Sequence, residues 1–75
     1  NNGLTSVTII SSDGTLADAL STSLFVMGKD KAIDFYKKSN YNFDFILYSS
    51  DNKLIISDGI KDIFSSDLDI KVVNK

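Results

Sequence analysis

Between Leu4 and Ile10 the chain is dominated by β-branched residues, with Leu4, Ser6, Thr8 and Ile10 on one side and Thr5, Val7 and Ile9 on the other. That alternation predicts a strand. Ser11-Ser12-Asp13-Gly14 supplies turn chemistry. Thr15 stands three residues before Asp18, the spacing of a capping box with Asp in the place of Glu. This predicts a helix with Thr15 as its N-cap, running to about Met27 and stopped by Gly28. At about 100° per residue its apolar side holds Leu16, Leu20, Leu24 and Met27, flanked by Ala17, Ala19 and Val26. The opposite side carries Asp18, Ser21, Thr22 and Phe25, and Asp18 is the only charge between Leu16 and Gly28. So few charges predict a helix covered on both sides, the second cover coming from elsewhere. An acid in such a setting must be neutralised, paired or bound to a cation.

From Lys29 a shorter helix is expected, with Ala32, Ile33 and Tyr36 on one face, Phe35 widening it, and Lys37 and Lys38 at the C-terminal end of its dipole. Residues 39–42 read as a loop. Phe43, Phe45 and Leu47 then alternate with Asp44, Ile46 and Tyr48, a strand apolar on both faces. Residues 49–53 predict a hairpin turn into a strand at Leu54-Ile55-Ile56-Ser57, broken by Asp58-Gly59. Residues 60–64 read as a short helical or irregular segment with Ile60, Ile63 and Phe64 inward. Residues 69–73 form a last strand. The fold class is α+β: one long helix plus a short helix packed on a sheet of about four strands. No repeat or linker divides residues 1–75. If the first two strands were parallel neighbours, the crossover between them would be right-handed.

Composition narrows the chemistry. A chain of 75 residues makes one small soluble domain, or a piece of a larger one, with a thin core. Without cysteine there is neither a disulfide nor a thiolate metal site, and without histidine the usual metal ligand and general base are missing. All eight cations are Lys and all ten anions are Asp. A net charge of −2 with scattered Lys and no basic stripe argues against nucleic-acid binding. No apolar run approaches the roughly 20 residues of a membrane span, and no signal peptide or lipidation motif is visible. Opening on Asn1-Asn2-Gly3 without Met, the chain reads as an excised or processed segment.

Asp18 and Thr22, four apart, point the same way on a helix. A carboxylate and a hydroxyl are hard oxygen donors suited to Mg²⁺ or Ca²⁺ and unsuited to zinc or copper. The competing reading is structural: Asp18 completes the capping box, and Thr22 bonds back to the carbonyl of residue 18. Spacing leaves both open. Asp13-Gly14 is a plain turn before it is a phosphate site, because the other elements of a Gly-rich motif are missing. Core packing is the expected role of Phe25, Phe35, Phe43, Phe45 and Phe64. Ser21 and Ser23 have no His or Lys at an activating spacing, and the lysines are expected to form a solvated face.

The run Leu4-Thr5-Ser6-Val7-Thr8-Ile9-Ile10, then Asp13-Gly14, Ala17-Asp18-Ala19-Leu20-Ser21-Thr22 and Phe25-Val26-Met27-Gly28, resembles the C-terminal part of the ApbE-type FAD:protein FMN transferases. These enzymes were long labelled thiamine biosynthesis lipoproteins. The resemblance is specific over residues 4–28 and one of style beyond Lys29. It implies an enzyme that binds FAD and Mg²⁺, cleaves the pyrophosphate, and attaches FMN through a phosphoester to a Thr of an acceptor protein. The family's metal ligands include the Asp and Thr of ADALST, which fall here on Asp18 and Thr22. The resemblance therefore favours the metal reading, with Asp18 also a charge suited to its helix end.

The family's flavin-contacting segments and its HxIDPxTG motif precede ADALST, as does a further carbonyl ligand, and this chain has no His. The resemblance thus implies a C-terminal fragment of a larger ApbE-type fold, holding part of one metal site and inactive alone. Its partners would be the upstream part of the same protein and the flavin acceptor protein. The parent would be an extracytoplasmic, membrane-anchored lipoprotein. The rival reading is a non-catalytic assembly module that forms a homodimer through the long helix. A third is a small Ca²⁺- or Mg²⁺-stabilised domain with no enzymatic parent.

Overall fold

The β-branched run at the start forms β1 (Leu4–Ile10) in a computed structural model that describes residues 2–75. Then come α1 (Gly14–Met27), α2 (Lys29–Lys38), β2 (Asp44–Ser49), β3 (Leu54–Ser57), a 3-10 turn (Asp58–Ile60) and β4 (Ile70–Val73). The strands lie in the order β1-β2-β3-β4. The first two pairings are antiparallel and the last is parallel, which makes a mixed sheet. The expected α+β class holds.

No parallel crossover joins the first two strands. Ile10 pairs with Asp44, so β2 begins beside the end of β1. Two successive helices carry the chain down and back up to that point, where one helix would have returned it to the start of β1.

Asp13, not Thr15, caps α1. Its backbone is extended (φ −101°, ψ 103°), its Oδ1 accepts from the Leu16 N–H at 3.1 Å, and its carbonyl accepts from the Ala17 N–H at 2.9 Å. The helix starts at Gly14, so Asp18 falls in the second turn. The first turn holds no acid, and neither the capping box nor a helix-end charge describes Asp18. At the other end Gly28 closes α1 and opens α2 at φ 87°. A Cβ there would stand 2.7 Å from the Asn2 carbonyl oxygen, so only glycine fits.

Leu20 and Leu24 of α1 and Ala32 and Tyr36 of α2 are buried with Leu4, Phe43, Phe45, Leu47, Ile55 and Val73 in one core. Leu16, Met27, Ile33 and Phe35 pack at its margin. The Tyr36 ring meets Phe43 and Phe45 edge-on, with centroids at 5.4 and 4.8 Å. The buried stripe of α1 is narrower than expected, because Ala19 and Val26 lie outside it. β3 is buried at all four positions. Helices cover one face of the sheet, and the parallel connection to β4, residues 58–69, crosses back over the other. In that connection Ile60 is buried and Phe64 half-buried, but Ile63 is 84% exposed. The helical spacing that would align Ile63 with Ile60 is not carried past a single 3-10 turn. Among the described residues no helix is long and apolar enough to cross a membrane.

Candidate functional site

α1 packs on β1, at the edge of the sheet, and on α2. Its inner stripe is satisfied there, and none of the remaining elements has its main packing on its outer side. Asp18 and Thr22 sit on that outer side, one helical turn apart and both exposed. The expectation that this acid is held away from water fails for the chain by itself, because α1 occupies the margin of the fold. Ser21, not Thr22, donates its hydroxyl back to the Asp18 carbonyl, at 2.9 Å. Neither the Asp18 carboxylate nor the Thr22 hydroxyl is engaged by another side chain among the described residues.

One turn further, Phe25 is 42% exposed, so it departs from the core role expected of it. It separates two hollows along the junction of α1 and β1. Val7, Ser21, Thr22 and Val26 join Phe25 around about 280 Å³, and Asn2, Leu4, Thr5 and Ser50 join it around about 560 Å³. The groove beside Thr22 is therefore walled by a helix and a strand edge.

Two hard oxygen donors a turn apart suit Mg²⁺, which binds through one or two carboxylates and fills its remaining positions with water and phosphate oxygens. Among the described residues no three His, Cys, Asp or Glu side chains gather as a metal cluster. The chain therefore offers the pair Asp18 and Thr22 and not a closed cage. Asp13-Gly14 is a helix start, with the Asp13 carboxylate already committed to the cap.

The structure also assembles groups that sequence spacing did not join. Ser57, fully buried, donates its hydroxyl to Asp44 Oδ1 at 2.7 Å and accepts the Phe45 N–H at 3.0 Å. Nearby, burial raises the pKa of the Tyr36 phenol, and the carboxylates of Asp44 and Asp58 raise it further. A cleft of about 380 Å³ between the start of α2 and the β2–β3 hairpin gathers Lys29, Lys53 and Lys71, but also Asp30, Asp51 and Asp69. The bond from Ser49 holds the Asp51 carboxyl below the usual range, with Lys29 and Lys53 adding to the effect. Equal numbers of cations and anions leave that cleft without a net preference for an ion. No sequence signal marked either cluster, since the members come from separate strands and turns.

No characterised protein and no solved structure matches the chain. The model of the ApbE family matches residues 1–47, a span that takes in β1, both helices and the first part of β2, with Asp18 and Thr22 inside it. With nearly two thirds of its length matched, the chain belongs to the ApbE family, the flavin-transferase family that its ADALST and FVMG segments resemble.

Proposed function

We propose that the chain is the C-terminal part of an FAD:protein FMN transferase, in which Asp18 and Thr22 supply two oxygen ligands to Mg²⁺ beside the pyrophosphate of FAD. The observation that carries this reading is the coincidence of the family match with an exposed Asp and Thr one turn apart on α1, neither engaged by another side chain among the described residues. Asp18 contributes the negative charge of the pair and Thr22 a neutral oxygen. Their position on an open helix face lets phosphate oxygens complete the coordination. When bound, Mg²⁺ offsets the pyrophosphate charge and makes the phosphorus more electrophilic. With the metal bound, the acceptor threonine's hydroxyl oxygen would form a new P–O bond at the FMN phosphorus as the P–O bond to the adenylate half breaks. AMP would leave, the hydroxyl proton would pass to solvent, and FMN would remain as a phosphoester. The flavin itself is held mainly by residues upstream of this chain, which alone is inactive. The parent is a lipid-anchored, extracytoplasmic enzyme acting on a separate acceptor protein.

The test places Asp18→Ala and Thr22→Ala in the protein that joins this chain to its flavin-binding segments. FMN transfer to a threonine-containing acceptor peptide is followed by covalent flavin fluorescence. Each substitution is expected to lower transfer by roughly 100-fold or more, as for loss of a metal contact. Mg²⁺ should also cease to tighten FAD binding, while the far-ultraviolet circular dichroism stays unchanged because both side chains are exposed. Retention of activity by both variants removes the metal assignment. Transfer by the isolated 75-residue chain would overturn the claim that it is inactive alone.

A further inference from the structure

α1 and α2 meet at Gly28, where one helical bond is replaced by two bonds to a distant residue. The Gly28 N–H still donates to the Leu24 carbonyl at 3.2 Å, and the Ala32 N–H donates to the Gly28 carbonyl at 2.9 Å. Between them, a continuous helix would join the Lys29 N–H to the Phe25 carbonyl. Both groups turn to Asn2 instead. The Lys29 N–H donates to the Asn2 carbonyl at 3.2 Å, and the Asn2 amide nitrogen donates to the Phe25 carbonyl, with the Val26 carbonyl oxygen 3.5 Å away. The Asn2 amide oxygen accepts from the Leu4 N–H at 3.2 Å. Donor and acceptor of one short side chain are both used, and a last-turn carbonyl of α1 is satisfied from 23 positions away. Gly28 leaves the room for this, since a Cβ on it would come within 2.9 Å of the Asn2 Cβ. Gly3 is tied in turn to the β2–β3 hairpin, where the Ser50 N–H donates to its carbonyl at 3.0 Å.

We propose that Asn2 is a positioning residue for the metal pair, a wedge that sets α1 at the height and roll at which Asp18 and Thr22 meet Mg²⁺. The inference rests on the flavin-transferase reading. The core holds α1 by a narrow stripe, in which Leu20 and Leu24, one turn apart, are the buried residues. A stripe that short sets the depth of a helix more firmly than its slide or its roll. The Asp13 cap at the other end bonds only within its own turn and moves with the helix. The Asn2 bonds differ, because they join α1 to the residues that lead into β1. Thr22 precedes Phe25 by three residues, about 4.5 Å along the axis, so the anchor lies one turn from the ligand pair. Under the same reading the flavin-holding polypeptide enters the chain ahead of Asn2. Asn2 then links the part that holds the flavin to the helix that holds the metal. A carboxylate in its place would keep the shape but lose the donor, and its charge would face the negative end of α1.

Two measurements test this, and neither reads transfer. In the wild-type chain the Lys29 amide is expected to exchange with deuterium at least about tenfold more slowly than in an unstructured peptide. Exchange at the unstructured rate overturns the proposal and leaves the flavin-transferase reading untouched. In the protein that joins this chain to its flavin-binding segments, Mg²⁺-dependent FAD binding is followed by flavin fluorescence. Asn2→Ala and Asn2→Asp are each expected to raise the Mg²⁺ concentration for half-maximal binding about tenfold, with excess Mg²⁺ restoring it. Ser57→Ala removes a buried hydroxyl on β3 and leaves the end of α1 alone. It is expected to lower the melting temperature without moving that concentration, so a general loss of stability does not imitate the effect. An unchanged Mg²⁺ requirement in the Asn2 variants, beside a raised one in Asp18→Ala, overturns the positioning role alone. An unchanged requirement in Asp18→Ala as well overturns both readings. Should Asn2→Ala fail to fold, Asn2→Asp decides, since it keeps the shape and the bond to the Leu4 N–H.

Discussion

Ser57 and Asp13 are both small polar residues near the end of an element, yet their surroundings give them different weights. The Ser57 hydroxyl lies in the interior, where water cannot replace either of its bonds. Gly59 makes room for this arrangement, since a Cβ there would strike the Asp44 carboxylate. Ser57→Ala would leave the Phe45 N–H without its acceptor and take the donor from Asp44. It is expected to cost about 1–3 kcal/mol in urea unfolding. Ser23→Ala, at an exposed position of α1, should fall within about 0.5 kcal/mol of the parent. The same contrast applies to ion pairs. Lys38 and Asp34, 3.0 Å apart on α2, are largely exposed and contribute little.

At the scale of the element, α1 depends on its two ends. Asp13 satisfies an N–H of the first turn, and its loss is expected to destabilise the chain by about 1 kcal/mol. Thr15 lies inside the helix, so Thr15→Ala should be neutral or slightly stabilising, because alanine is the better helix former. Thermal melts of the two variants decide the matter: equal losses, or the larger loss at Thr15, would restore the capping box. The sequence placed α1 correctly to within a residue or two and missed its cap. Asp13 and Thr15 are both competent caps by composition, and the choice was made by the extended backbone at Asp13.

Across the whole molecule, a thin core is shared by both helices and all four strands. A domain of this length has a total stability of roughly 4–11 kcal/mol on a per-residue scale. Leu24, with no exposed surface, sits where α1 meets that core. Leu24→Ala should remove about 2–5 kcal/mol, enough to lower the melting temperature steeply or leave a partly unfolded chain at 37 °C. Ile63→Ser, by contrast, should melt as the parent does. A Leu24→Ala chain as stable as the parent would mean that α1 is not seated on the sheet as described.

Element types and order were legible in the residues alone, because helix and strand periods are local properties that Leu20, Leu24, Phe45 and Leu47 display over a few positions. So was the spacing that sets Asp18 and Thr22 one turn apart on the same side of α1, which needs only the pitch of one helix. Their exposure was not, since the residues predicted a helix covered on both sides. Sheet order, the antiparallel pairing of β1 with β2, the Ser57–Asp44 bond and the exposure of Phe25, Val26 and Ile63 were not. Each depends on which distant segment arrives opposite a given residue. Only tertiary structure decides that α1 ends at the margin of the sheet, with one side in the core and the other exposed.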